Sequence, residues 1–182
     1  MKNVERPKEP APRERRVMPD EIERLQFVCG WNEEKCTTST QKMFVAFLFA
    51  IETAMRAGEI LGLTWKNVDL NKRTAFLPMT KNGSSRTVPL SRRAVELLKY
   101  IPRDGANIFN MRSGLLDALF RKYRDKAGIE NLHFHDTRHE AITRLAKKLD
   151  VLDLARMVGH ENLKQLMTYY NATAEELAEK LD

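Results

Sequence analysis

Apolar positions along this chain fall into a helical rhythm, a strand-like interruption, and then a helical rhythm again. Behind Pro19, residues Ile22, Leu25 and Val28 recur at the spacing of one helix face, and proline is well tolerated at a first helical position. Thr38 with Gln41 predicts a capping box, opening a helix that is apolar on every side over residues 43–51. A helix with no polar face has to be buried, so this stretch is the expected centre of the core. Residues 65–70 predict a first strand. Residues 74–79 and 86–90 predict two more, flanking Lys81-Asn82-Gly83-Ser84, and Asn-Gly is a strong hairpin signal. Pro78 and Pro89 suit strand ends or an edge strand, since proline cannot donate to a ladder. Helices are then expected over 92–101, 114–127, 137–149, 151–158, 162–170 and 174–181, the last opened by Thr173 with Glu176. The sum is a mixed α+β domain, mostly α-helical, with a small three-stranded antiparallel sheet.

Composition adds organisation and a partner class. Residues 1–17 carry three prolines, six Lys or Arg and three Glu, which reads as a linker remnant from a missing N-terminal domain. The folded domain is then expected over 18–182. A net charge of +6 and a pI near 9.4 favour a polyanionic partner, because basic side chains that neutralise phosphates release condensed counterions. The longest apolar run, residues 43–51, is half of the roughly 18 residues a membrane span needs, and the N-terminus has no apolar segment of a signal peptide. Two cysteines, Cys29 and Cys36, suit a reduced cytosolic protein, one as a core residue and one in a loop. A cytoplasmic location in a bacterial host is the expectation.

Candidate chemistry begins with Arg138. Thr137 and Glu140 predict a capping box, and Ala141, Ile142, Leu145, Ala146 and Leu149 form the stripe behind it. Arg138 stands four residues before Ile142 and seven before Leu145, so it lies along the buried face at the positive end of the helix. A guanidinium there requires an anion: a phosphate suits it, and an internal carboxylate would satisfy it equally. His135 lies just outside this helix. With His133, Asp136 and His139 it forms HFHDTRH, which differs from the metallohydrolase run His-x-His-x-Asp-His by a one-residue displacement of both Asp136 and His139. Gly159 ends a helix and displays His160 in a loop before Asn162. The stripe Leu163, Leu166, Met167 continues to Tyr170, predicting Tyr170 in the core and leaving Tyr169, about 100° round the helix, to face a substrate. Lys81 is exposed at the hairpin turn, where an ordinary solvated lysine is the bland alternative. Arg56 follows the buried helix and precedes Ala57-Gly58-Glu59, where it would also complement a helix C-terminus.

Each signal is weak alone; their order is specific. Arg56 in TAMRAGEILGLTW, Lys81 in TKNGSSRTVPLS, His135 and Arg138 in HDTRH, and VGHENLKQLMTYY together resemble the signature of the tyrosine recombinases, the phage integrase family, from about residue 18 to the end. In that family the tyrosine stands nine residues beyond the loop histidine, and Tyr169 is nine beyond His160. The resemblance implies the family's catalytic-domain fold and cleavage of DNA through a 3′-phosphotyrosine link, with no cofactor, metal or ATP. It implies that Arg56 and Arg138 grip the non-bridging phosphate oxygens, that His160 adds a hydrogen bond, and that Lys81 protonates the departing oxygen. It further implies that His135 accepts a proton or orients a partner, that Tyr169 is the nucleophile, and that Glu59 orients Arg56 or an adjacent loop. The implied partner is double-stranded DNA, with a tetramer on paired sites, a monomer or weak oligomer for this chain alone, and residues 174–181 as a docking helix. Two departures are mild: Glu140 stands where relatives often carry a small or hydroxyl residue, and Ser84-Ser85 where a further Lys is common. The alternatives are a type IB topoisomerase-like nicking and closing enzyme, or a DNA-binding relative without catalysis. The second is disfavoured because every catalytic position holds a competent residue type.

Overall fold

The computed structural model describes residues 15–78, 85–159 and 163–170. Helix α1 (Pro19–Cys29) has Pro19 in its first turn and stops at Gly30, which takes the left-handed conformation at φ 62. Helix α2 (Ser39–Thr53) opens as the sequence predicts. The Thr38 hydroxyl accepts from the Gln41 amide at 3.2 Å, and the Gln41 side chain accepts from the Thr38 amide at 3.3 Å. With Phe44, Phe47 and Phe49 wholly buried, α2 is the element round which the others pack. Phe47 stacks on Phe120 at 5.4 Å and meets Phe134 edge-on at 6.2 Å, so the core runs without a break to the residue before His135.

After α3 (Ala57–Leu61) the expected first strand is largely absent. Residues Trp65–Asn67 form a 3₁₀ turn, and β1 is reduced to Val68–Asp69. The reason lies in the backbone bonds: the Asn67 amide turns back to the Thr64 carbonyl, and the Trp65 amide is taken by Ala106 from another loop. Strands β2 (Thr74–Leu77) and β3 (Arg86–Pro89) pair antiparallel with Leu77 opposite Arg86, giving the sheet order β1-β2-β3. Pro89 thus sits on an edge strand. The hairpin turn with Lys81 lies outside the described residues.

The remaining helices are α4 (Arg92–Lys99), α5 (Ser113–Lys126), α6 (Asp136–Ala146), α7 (Val151–Val158) and α8 (Leu163–Met167). Two expectations need correction here. Helix α6 starts one residue early, and Thr137 is not its cap. The Thr137 hydroxyl donates to Phe134 O, Asp136 takes the His133 amide at 2.8 Å, and the Glu140 carboxylate pairs with Arg16 and Arg144 instead of returning to the helix start. Helix α8 ends before the tyrosines, and its stripe is incomplete: Leu166 is buried, but Met167 is 61% exposed. The predicted helix over 174–181 lies outside the described residues. Arg15, Arg16 and Val17, ahead of α1, lie on the domain, with Val17 in the core.

Apolar side chains form two clusters. The larger surrounds α2; the smaller gathers Ala54, Ala141, Ile142, Leu154, Ala155, Val158 and Leu166 between α6, α7 and α8. Cys29 and Cys36 are free thiols, both buried, and burial pushes them up to about 12 and about 11. Among the described residues, no helix is long and apolar enough to cross a membrane.

Candidate active site

Arg138 occupies the place its helical phase assigns, in the first turn of α6 and only 5% exposed. Its terminal nitrogens donate to main-chain carbonyls: Nη1 to Ala54 O, and Nη2 to Val158 O at 2.8 Å. Ala54 caps the C-terminus of α2 in the left-handed region at φ 55, and Val158 is the last residue of α7. The guanidinium therefore collects the negative ends of two helices, whose carbonyls would otherwise lack donors. Carbonyl dipoles offset less charge than a carboxylate would. Burial, and then the nearby Arg56, push Arg138 down to about 10. A charge held this way gains from any anion that reaches it.

Arg56 precedes α3, and its own amide donates to Glu59 at 2.9 Å while its Nη1 donates to the same carboxylate at 3.1 Å. Glu59 is shared. Arg86 grips it with both terminal nitrogens, at 2.9 and 2.8 Å, and sends Nε to Met157 O at 3.1 Å. Burial pushes the Glu59 carboxyl up, but these bonds outweigh it and hold the group below its ordinary value. The orienting role expected of Glu59 is consistent with this geometry. Arg86 was given no role by the sequence, although a signal existed: in a strand of period two it shares the inward face with buried Val88. Its guanidinium also explains Gly159, which needs φ +66 and where a Cβ would come within 3.1 Å of Arg86.

Arg56, His135 and Arg138 all line one cavity of about 230 Å³, together with Met55, Phe134 and Asp117 among others. His135 is held at the start of α6; desolvation, then Arg138, lower its pKa below the usual imidazole value, with Asp136 opposing. Its ring is therefore neutral near pH 7 and able to accept a proton. Lys81 and His160 lie outside the described residues.

The two tyrosines are separated by what their hydroxyls do. Tyr170 donates to Leu149 O at 2.7 Å, which commits it to the main chain, and burial, helped by Asp150, raises its pKa. The Tyr169 hydroxyl lies 2.7 Å from Nδ1 of His139, and it is close enough to interact electrostatically with Arg138 and Arg16. Both tyrosines are half-buried against the smaller cluster, so the phase argument for Tyr170 alone in the core does not hold. His139 has a contact that the sequence gave no means of finding, because its partner lies thirty residues away. Among the described residues, no group of three or more His, Cys, Asp or Glu is arranged to hold a metal ion.

Comparison with known proteins identifies the family. The chain is 51% identical over 180 residues to a Haemophilus influenzae protein named as an integrase/recombinase, covering 93% of this chain and 48% of that one. It is 40% identical over 182 residues to a shufflon-specific DNA recombinase of Escherichia coli, covering 98% of this chain and 46% of that one. The chain thus spans about half the length of these curated relatives. Its fold matches the Tn1549 transposon integrase in complex with transposon right-end DNA at a TM-score of 0.74 and 18% identity, over 96% of this chain and 67% of that one. The phage integrase family model matches residues 15–176, and the chain belongs to that family.

Proposed function

We propose that this chain is a catalytic domain that cuts and rejoins double-stranded DNA through a covalent bond to Tyr169, in the service of site-specific recombination. The observation that carries the reading is Arg138: a buried guanidinium spent on two helix-end carbonyls, facing one cavity with Arg56. Two planar forks suit the non-bridging oxygens of a phosphodiester, whose charge grows in the transition state. Tyr169 Oη forms the new bond to phosphorus as the P–O5′ bond breaks, leaving a 3′-phosphotyrosine. Lys81 protonates the departing 5′-oxygen, and His160 adds a donor to the phosphate. His135 accepts a proton or orients the phosphate at the cavity rim. The covalent link keeps the energy of the broken bond, so a 5′-hydroxyl of another strand reverses the step with no nucleotide cofactor. In the whole protein, an upstream domain joined through the basic residues ahead of Arg15 would clamp the DNA, and four copies would bring two sites together.

The test incubates the chain with a pool of nicked duplexes of random sequence around the nick and recovers adducts stable to detergent. The wild-type chain and Tyr170→Phe should form them; Tyr169→Phe should not. Adducts that persist in Tyr169→Phe would overturn the proposal.

A further inference from the structure

We infer that His139 is a catalytic residue that takes the phenol proton from Tyr169 during strand cleavage and returns it during rejoining. The inference rests on the proposed nucleophilic role of Tyr169 and goes beyond it, since neither the motif blocks nor the cavity assigns His139 any task. Its ground is contact with the reacting atom: Nδ1 of His139 lies 2.7 Å from Tyr169 Oη, with the ring centroids 5.3 Å apart.

The placement suits a proton relay. His139 follows Arg138 in the first turn of α6, and Tyr169 is close enough to interact with that guanidinium as well. The main-chain carbonyl of His139 accepts from the Thr143 hydroxyl at 2.9 Å, within the same helix. His135 lines the cavity shared by Arg56 and Arg138, whereas the imidazole in contact with Tyr169 Oη is that of His139. The charged groups around the pair are Arg138, which Tyr169 influences; Arg16, from the segment ahead of α1, which also interacts with Tyr169; and Glu140, held between Arg16 and Arg144. Arg138 is in turn coupled to Arg56 and Arg86 and to the Glu59 carboxylate.

The step balances. The Oη–H bond breaks, its proton moves to Nδ1 and the ring becomes an imidazolium. The freed lone pair forms the Oη–P bond while the P–O5′ bond breaks, and O5′ receives a separate proton from Lys81. On rejoining, the imidazolium returns its proton to Tyr169 Oη as that oxygen leaves phosphorus. A phenol has a pKa near ~10, so an acceptor in contact matters most at neutral pH.

Single-turnover adduct formation on captured nicked duplexes should fall about 10²- to 10⁴-fold at pH 7 in His139→Gln, with the deficit shrinking as pH rises towards 10. A duplex with sulfur bridging phosphorus and the 5′-carbon, which leaves without protonation, should rescue Lys81→Ala and fail to rescue His139→Gln. Nitrogen NMR of the intact chain checks the same point without a His139 substitution. Nδ1 should be unprotonated in the neutral ring and should shift in Tyr169→Phe. Wild-type rates in His139→Gln, rescue of that variant by the sulfur substrate, or a neutral ring protonated at Nδ1 would each overturn the inference. Adducts in Tyr169→Phe would instead overturn the nucleophile assignment beneath it.

Discussion

The two halves of the site are built on foundations of different size. Arg56 and His135 stand on the larger apolar cluster, where Phe134, immediately before His135, packs against Phe47 and Phe120, and Arg138 ties them to the smaller one through the Ala54 and Val158 carbonyls. Tyr169 stands on the smaller cluster, behind a five-residue helix anchored by Leu166. The difference suits what the proposed roles would require of each half. Two like charges can share a phosphate only if rigid surroundings keep them in place before it arrives, so they are fastened by helix ends and by Glu59. A nucleophile that forms and breaks a bond to DNA needs freedom to change partners, and elements that move are drawn from the less stable parts of a fold.

Breaking the rigid half should have the largest effect. Arg138→Ala removes a fork from the phosphate and leaves the Ala54 and Val158 carbonyls without their donor. Adduct formation should drop by at least ~10²-fold, and Arg138→Lys should recover little because an ammonium cannot bridge both carbonyls. Gel quantification of adducts against time checks both. Next, Phe47→Ala should cost about 3–5 kcal/mol in urea unfolding, and Leu166→Ala about 2 kcal/mol, near the low end for a buried leucine. Leu166→Ala should nevertheless lose more activity than its stability loss explains. Equal unfolding penalties for the two variants would erase the distinction between the halves.

The smallest effect concerns acid. Burial pushes the Glu140 carboxyl up, but Arg16 and Arg144 outweigh it and hold the group below the ordinary carboxylate value. A depressed folded pKa means stability that is fully present above the ordinary carboxylate value and lost as pH falls through the folded one. Glu140→Gln should be less stable than wild type at pH 7, and the gap should close as pH falls through the folded value. A gap that widens in acid would contradict this pairing. The prediction also sharpens the comparison, because Glu140 ties the segment ahead of α1 to the helix that carries Arg138 and His139.

Much of this was legible in the sequence where the signal was local. The capping box at Thr38, the all-apolar α2, the hairpin strands and the inward phase of Arg138 all follow from residues within two turns of one another. The reading failed where a distant partner decided the outcome. Residues 65–70 look like a strand, yet Ala106 takes the Trp65 amide and bends them into a turn. Thr137 and Glu140 look like a capping box, yet Arg16 claims the carboxylate across 124 positions. The same limit hid Arg86 and His139, whose roles rest on Glu59 and Tyr169, far along the chain. The helical stripe that predicted Tyr170 alone in the core is broken at exposed Met167, and it is their hydroxyl contacts that distinguish the two tyrosines.

The measurement that bears most directly on the site is mass spectrometry of the trapped adduct after digestion of protein and DNA. A nucleotide phosphate remnant on Tyr169 is the expected result, with no remnant on Tyr170. A remnant on Tyr170, or on any side chain other than Tyr169, would contradict the assembly of the site described above.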